Sequence, residues 1–143
     1  MVKERASTRA GEFAFRLSAH SGVPVYRQLI DQVLGAVALG ALRTGDQLPT
    51  VRQVAVDLAI NPNTVMRAYR EMEIRGILDT QQGAGTFIAE QKTTGSSAER
   101  ERQLMQLLDE IVSRGGALGF TLDELIKALR DLQHDGNGKR RKS

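Results

Sequence analysis

The chain has 143 residues, with 20 Lys+Arg against 17 Asp+Glu and a formal net charge of +3. It has no cysteine and only two histidines, which excludes disulfide frameworks, thiolate zinc sites and cysteine nucleophiles and leaves multi-histidine metal sites without ligands. Aromatics are 4% of the residues, too few for a stacking platform for single-stranded nucleic acid, and no apolar run reaches the ~18 residues of a membrane span.

Residues 1–22 are polar and small, and the brief alternation of Phe13, Phe15 and Leu17 reads as an arm with a short extended piece. The charged start lacks a signal peptide's apolar core, so the cytoplasm is the expected compartment. Val23-Pro24 opens a periodic segment in which Tyr26, Leu29, Ile30, Val33, Leu34 and Val37 recur on one helical face. Proline is tolerated there because the first turn has no intrahelical use for its missing N–H. Thr44-Gly45-Asp46 makes a turn, and Thr50 with Gln53 predicts a capping box for a short second helix burying Val54, Ala55 and Leu58. Asn61-Pro62 is another start signal, followed by the inward stripe Val65, Ala68, Tyr69, Met72 and a left-handed stop at Gly76. Two β-prone runs around Gly83-Ala84-Gly85 then read as a hairpin.

Residues 91–98 have linker composition. Beyond them, Leu104, Leu107, Leu108, Ile111 and Val112 stripe a helix ending at Gly115-Gly116. Thr121 and Glu124 form a second capping box, opening a helix striped by Leu122, Leu125, Ile126, Leu129 and Leu132. Residues 135–143 read as a disordered basic tail.

A short helix, a tight turn and a longer helix have helix-turn-helix proportions, and the second of the pair offers Asn61, Asn63, Thr64, Met66, Arg67 and Arg70 outward. Asn can pair with adenine, and Arg with guanine or phosphate. A solvated polar face on an ordinary helical bundle explains this periodicity equally well. The hairpin with a glycine tip, directly after that helix, tips the reading towards a winged helix whose tip reaches the DNA backbone. The charge total does not decide the matter. Residues 23–90 carry six basic and seven acidic groups, and the positive excess lies at the chain ends.

Leu42 to Ile88 resembles the DNA-binding domain of GntR-type transcriptional regulators. The resemblance runs through Gly45-Asp46-Gln47-Leu48-Pro49-Thr50-Val51-Arg52, Leu58-Ala59-Ile60-Asn61-Pro62-Asn63-Thr64-Val65, Ala68-Tyr69, Gly76 and Gly83-Ala84-Gly85-Thr86-Phe87. The entry Val23-Pro24-Val25-Tyr26-Arg27-Gln28-Leu29 and the short helical C-terminus are similar to the YtrA-like subfamily. The resemblance implies DNA contacts from Arg52, from Asn61, Asn63, Thr64 and Arg67 at the recognition helix, and from Gln82 and Gly83 at the wing tip. Arg70 joins them by its place on the outward stripe. Family wings often carry arginine or lysine beside the glycines. Gln81, Gln82 and Ala84 stand here instead, which shifts affinity to Arg52, Arg67 and Arg70.

The expected architecture is mainly α with a small β-hairpin. An arm (1–22) precedes a winged helix-turn-helix domain (23–90), a linker (91–98), a two-helix dimerisation segment (99–134) and the tail (135–143). The two C-terminal helices cannot hide both apolar faces against each other, so Leu104, Leu107, Leu108, Ile111, Leu122, Leu125, Ile126 and Leu129 are the expected homodimer surface. The ~50 residues after the wing are too few for an internal ligand pocket of about 300 Å³, so any small-molecule effector would bind at the dimer interface or between domains. No cofactor, metal or catalytic group is expected, since nucleophile, base and orienter do not cluster. The expected function is a dimeric transcriptional regulator that represses from a double-stranded, two-fold operator. The competing reading is a winged helix used for protein contacts alone.

Overall fold

The computed structural model describes residues 2–7 and 13–141, with side chains from Phe13 to Asp135. The chain divides into two compact units, one built on residues up to Gln91 and one spanning Lys92–Asp135. No helix among the described residues is long and apolar enough to cross a membrane.

The first unit contains β1 (Val2–Ser7), β2 (Ala14–Ser18), α1 (Val25–Ala38), β3 (Gln47–Leu48), α2 (Val51–Leu58), α3 (Pro62–Ile74), β4 (Leu78–Gln81) and β5 (Gly85–Ile88). The predicted helix starts at Thr50 and Asn61 form, the first with a one-way cap, since the Gln53 side chain does not return to Thr50. Thr50 Oγ1 accepts the Gln53 backbone N–H at 3.0 Å, and Asn61 Oδ1 accepts that of Asn63 at 2.9 Å. Each satisfies a donor that has no intrahelical partner. Between α2 and α3, Ala59 takes the left-handed conformation at φ 54°, a position that ordinarily favours glycine. Gly76, at φ 75°, ends α3 as expected.

One core gathers the buried side chains described in the first unit. Leu29, Ile30 and Val33 from α1, Val54 and Leu58 from α2, and Val65, Ala68, Tyr69 and Met72 from α3 converge on Leu42, Leu48, Ile77, Leu78 and Ile88. Leu48 belongs to a short strand, β3, that has no signature in the local sequence. β3 pairs antiparallel with β5, so the wing is a three-stranded sheet in the order β3-β5-β4 rather than an isolated hairpin. Two residues are too few to show a period-two pattern, and only the pairing with β5 defines them as a strand.

The amino-terminal segment departs from the expected arm. β1 and β2 form an antiparallel pair, and Phe15 of β2 is fully buried, its ring 6.5 Å from that of Tyr69. Leu17 is buried too, and Phe13 packs edge-on against Phe15 at 4.9 Å. Phe15 and Leu17 are therefore part of the domain core. The strand is fastened to α1 by two glutamines. The Gln32 carboxamide accepts the Arg16 N–H at 2.7 Å and donates to the Arg16 carbonyl at 2.6 Å. Gln28 does the same for Ser18, at 2.9 and 3.1 Å. Four residues of helix rise about 6 Å, and two residues of strand about 6.6 Å, so the two amides meet alternate residues on one strand edge. They stand in for a neighbouring strand.

The remaining helices are α4 (Ser97–Ala117) and α5 (Leu122–Arg141), which the second unit holds as far as Asp135. Ser96 caps α4, and Thr121 and Glu124 complete their reciprocal capping box at 2.9 and 3.2 Å. α4 does not stop at Gly115-Gly116. It runs to Ala117, and Gly119 at φ 86° supplies the turn. Gly115 instead admits Leu125, whose Cδ1 would lie 2.9 Å from any Cβ built there. Helix α5 continues to Arg141, through most of the tail expected to be disordered, because adding residues to an established helix costs little. A basic sequence there also suits the helix's negative end. The side chains of Lys139, Arg140 and Arg141 lie outside the described residues, as do Lys142 and Ser143 entirely.

If β2 is core and not appendage, Phe15→Ala should cost about 3–5 kcal/mol of unfolding free energy in urea titration. Gln32→Ala should cost about 1–2 kcal/mol of local stability, seen as faster hydrogen exchange at the Arg16 amide. Wild-type protection in that variant would show that the amide bridge does not hold the strand.

Candidate nucleic-acid interface

The candidate site is assembled on α3. Its stripe Val65, Ala68, Tyr69, Met72 is buried, and this forces the opposite side into solvent. There Asn63, Met66, Arg67 and Arg70 are exposed, with Thr64 half-buried beside them. Asn61 has its carbonyl oxygen engaged as the cap, which leaves its amide N–H groups to face outward as donors. Pro62 removes one donor at the helix start and Asn61 holds the N–H groups of Asn63 and Thr64, so a phosphate there would meet the positive end of the dipole and the Asn61 amide rather than free backbone donors.

Asn63, Arg67 and Arg70 line one groove of about 450 Å³, together with Met66, Ile74 and Glu71 of α3 and Tyr26 of α1. The Arg67 guanidinium carbon lies 3.8 Å from the centroid of the Tyr26 ring. Sequence periodicity assigned Tyr26 to the apolar face of α1. Its ring does pack on the core edge, half-buried, but it also carries this cation. No spacing rule links residues 26 and 67, so the contact was invisible before the two helices were packed together.

Arg52 is exposed in the first turn of α2. The Tyr69 hydroxyl bonds the carbonyl of Pro49, three residues earlier, at 2.6 Å and is buried there. Burial pushes this hydroxyl well above the ordinary phenol range, so it remains a donor at all working pH. Tyr69, read from the sequence only as an apolar stripe residue, thus ties the middle of α3 to the start of α2, where Arg52 is rooted.

The wing tip holds Gln82 and Gly83, both exposed, between β4 and β5. The Ala84 N–H closes the turn on the Gln81 carbonyl at 3.0 Å, and Gln47 of β3 donates from Nε2 to the Ala84 carbonyl at 3.2 Å. Gly85 is needed where it stands. It adopts φ 131°, and a Cβ there would fall on the Gln47 amide. One pair from the tip, Thr80 donates to Glu73 near the end of α3. The tip end of the sheet is therefore held to α3 through Thr80 and braced by Gln47.

The C-terminal unit presents a different surface. Leu104, Leu107, Leu108, Ile111, Leu122, Ile126 and Leu129 are all exposed, and Leu125, packed at Gly115, is half-buried. Val112, Leu118, Phe120 and Leu132 extend the same exposed apolar set.

Comparison with known proteins is consistent along most of the chain. The family described as "Bacterial regulatory proteins, gntR family" matches residues 25–88. YhcF of Bacillus subtilis, an HTH-type transcriptional regulator, is 35% identical over 81% of this chain and 95% of its own length. The HTH-type transcriptional repressor YtrA of the same organism is 31% identical over 86% of this chain and 95% of its own. Among solved structures, a transcriptional antiterminator from Listeria monocytogenes EGD-e superposes with a TM-score of 0.63 at 30% identity, covering 84% of this chain and 90% of that one. The GntR-family transcription factor YtrA from Sulfolobus acidocaldarius gives 0.51 at 26% identity, covering 72% and 97%.

Tyr69→Phe should cost about 1–3 kcal/mol in urea titration, because it strands the Pro49 carbonyl in a buried place. Gly85→Ala should cost about 1–3 kcal/mol through its backbone conformation and the displaced Gln47. Unchanged denaturation midpoints would remove both residues from the framework that holds the interface.

Proposed function

The chain belongs to the gntR family of bacterial regulatory proteins, and we propose that it acts in the cytoplasm as a homodimeric, sequence-specific repressor of a two-fold DNA operator. It is a transcriptional regulator with a winged helix-turn-helix DNA-binding domain. The observation that carries the DNA reading is the division of α3, whose apolar stripe is buried while Asn63, Arg67 and Arg70 share one open groove. In this reading α3 lies in the major groove, Asn61, Asn63, Thr64 and Arg67 reach base edges or flanking phosphates, and Arg70 adds positive charge. Arg52 and the wing tip at Gln82-Gly83 set the register through the backbone. Repression follows from occupying promoter DNA, and the Bacillus subtilis relative YtrA is itself named a repressor.

Dimerisation is assigned to residues 99–134. The apolar side chains exposed on α4 and α5 need a cover, at about 25 cal/mol for each Å² removed from water, and a second copy supplies a matching surface by symmetry. Two recognition helices one helical turn of DNA apart, about 34 Å, then read a two-fold site. The protein works by binding rather than catalysis and needs no cofactor. A small-molecule effector, where one acts, meets the regulator at the subunit interface.

A duplex selected from a random pool should bind with an affinity that falls steeply with salt, the logarithmic slope being about −0.9 per phosphate neutralised. Arg52→Ala should weaken that binding in an anisotropy titration about equally across duplex sequences and reduce the salt slope by about 1. Absence of duplex binding at low salt would sink the DNA reading in favour of a protein-interaction role. For the dimer, Leu108→Glu combined with Ile111→Glu should sediment as a monomer while the parent sediments as a dimer. A dimeric double variant would move the interface elsewhere.

A further inference from the structure

We propose that Tyr26 is a positioning residue for DNA recognition, presetting the Arg67 guanidinium before the duplex arrives. This rests on the reading of α3 as the helix that faces DNA. The guanidinium carbon is 3.8 Å from the Tyr26 ring centroid, within the range of a cation–π stack. Stacking uses the face of the guanidinium and leaves its N–H edge free. That planar edge is what pairs with two acceptors at once, whether guanine O6 and N7 or two phosphate oxygens. An unrestrained arginine loses much rotamer freedom on binding, and a side chain already held in place loses less.

Tyr26 is well placed to act as a fixed platform. It sits in the first turn of α1, where the Pro24 carbonyl accepts the N–H groups of Arg27 and Gln28. Gln28 also donates to the Val23 carbonyl at 2.9 Å and to that of Ser18 at 3.1 Å, which anchors the start of the helix. The ring packs on the core edge, and Asn63 and Arg70 border the same groove. α1, which contributes no reader of its own in the sequence reading, thereby becomes part of the recognition apparatus.

The test is a double-mutant cycle on the full-length protein, using the duplex selected from a random pool. Anisotropy titrations would compare Tyr26→Leu, Tyr26→Phe, Arg67→Ala and the Tyr26→Leu/Arg67→Ala pair. Arg67→Ala should weaken binding about five-fold or more per half-site. Tyr26→Leu should weaken it about two- to five-fold, and Tyr26→Phe should bind within two-fold of the parent because its ring face survives. The double variant should be no weaker than Arg67→Ala. Urea midpoints separate these effects from folding. If Tyr26→Leu folds poorly, Tyr26→Met, which fills the site without a ring face, takes its place in the cycle with the same expected loss, and parent-like binding by it overturns the positioning role. A loss confined to one base pair identifies a base edge as the acceptor, whereas a uniform loss with a shallower salt slope identifies phosphate. Parent-like binding by Tyr26→Leu alongside a weakened Arg67→Ala overturns the positioning role and leaves the DNA reading intact. Additive losses overturn it too, since Tyr26 would then act without Arg67. Parent-like binding by Arg67→Ala removes both residues from recognition, and if Arg52→Ala is also without effect the assignment of α3 and the start of α2 as the DNA-facing surface falls with them, whereas only absence of duplex binding by the parent overturns the DNA reading itself.

Discussion

The DNA-binding unit depends on the burial of one stripe of α3. Val65, Ala68 and Met72 have no exposed surface and Tyr69 almost none, so rotating the helix would expose apolar side chains and bury Asn63, Arg67 or Arg70 without partners. Burying a charge without a partner costs far more than burying a methyl group gains. The two penalties act in the same direction. They hold the helix at one rotation, and the polar groove is the side left over.

Rotation alone does not place a reader, and the remaining freedoms are removed by a few polar contacts. Tyr69 and Pro49 set α3 against the start of α2, Glu73 and Thr80 set it against the wing, and Gln47 braces the wing tip. Gln28 and Gln32 bring β2 against α1, so that Phe15 joins the shared core. Each contact crosses between elements, so each converts a packing preference into a defined geometry. Function then follows from placement and not from bulk charge. Residues 23–90 carry a small negative excess, and Glu71 lies in the same groove as Arg67 and Arg70.

The two units make opposite use of their apolar residues. In the first, the helical stripes disappear into a shared core. In the second, α4 and α5 meet at Gly115 and Leu125 and leave long apolar faces in water. A reader must be rigid before it meets DNA, whereas a subunit surface is finished only by its partner.

Local signals proved legible wherever the physics is local. Thr50, Asn61, Gly76 and the Thr121–Glu124 pair mark helix ends because a cap or a left-handed residue acts within three or four positions. Helical periodicity named the buried faces of α1, α2 and α3, and with them the outward residues of α3. Contacts distant in sequence were illegible. The strand Gln47–Leu48 exists by pairing with β5, Phe15 is core because Gln28 and Gln32 hold its strand, and Gly115 is an entry point for Leu125 rather than a helix stop. Tyr26 was legible as apolar and illegible as the seat of Arg67. The sequence by itself thus determined which helices form, where most of them begin and which side of each is apolar, since those depend on neighbours a few residues away. Tertiary structure alone decided which residues hold the readers in place, because that depends on side chains brought together from as far apart as positions 26 and 67.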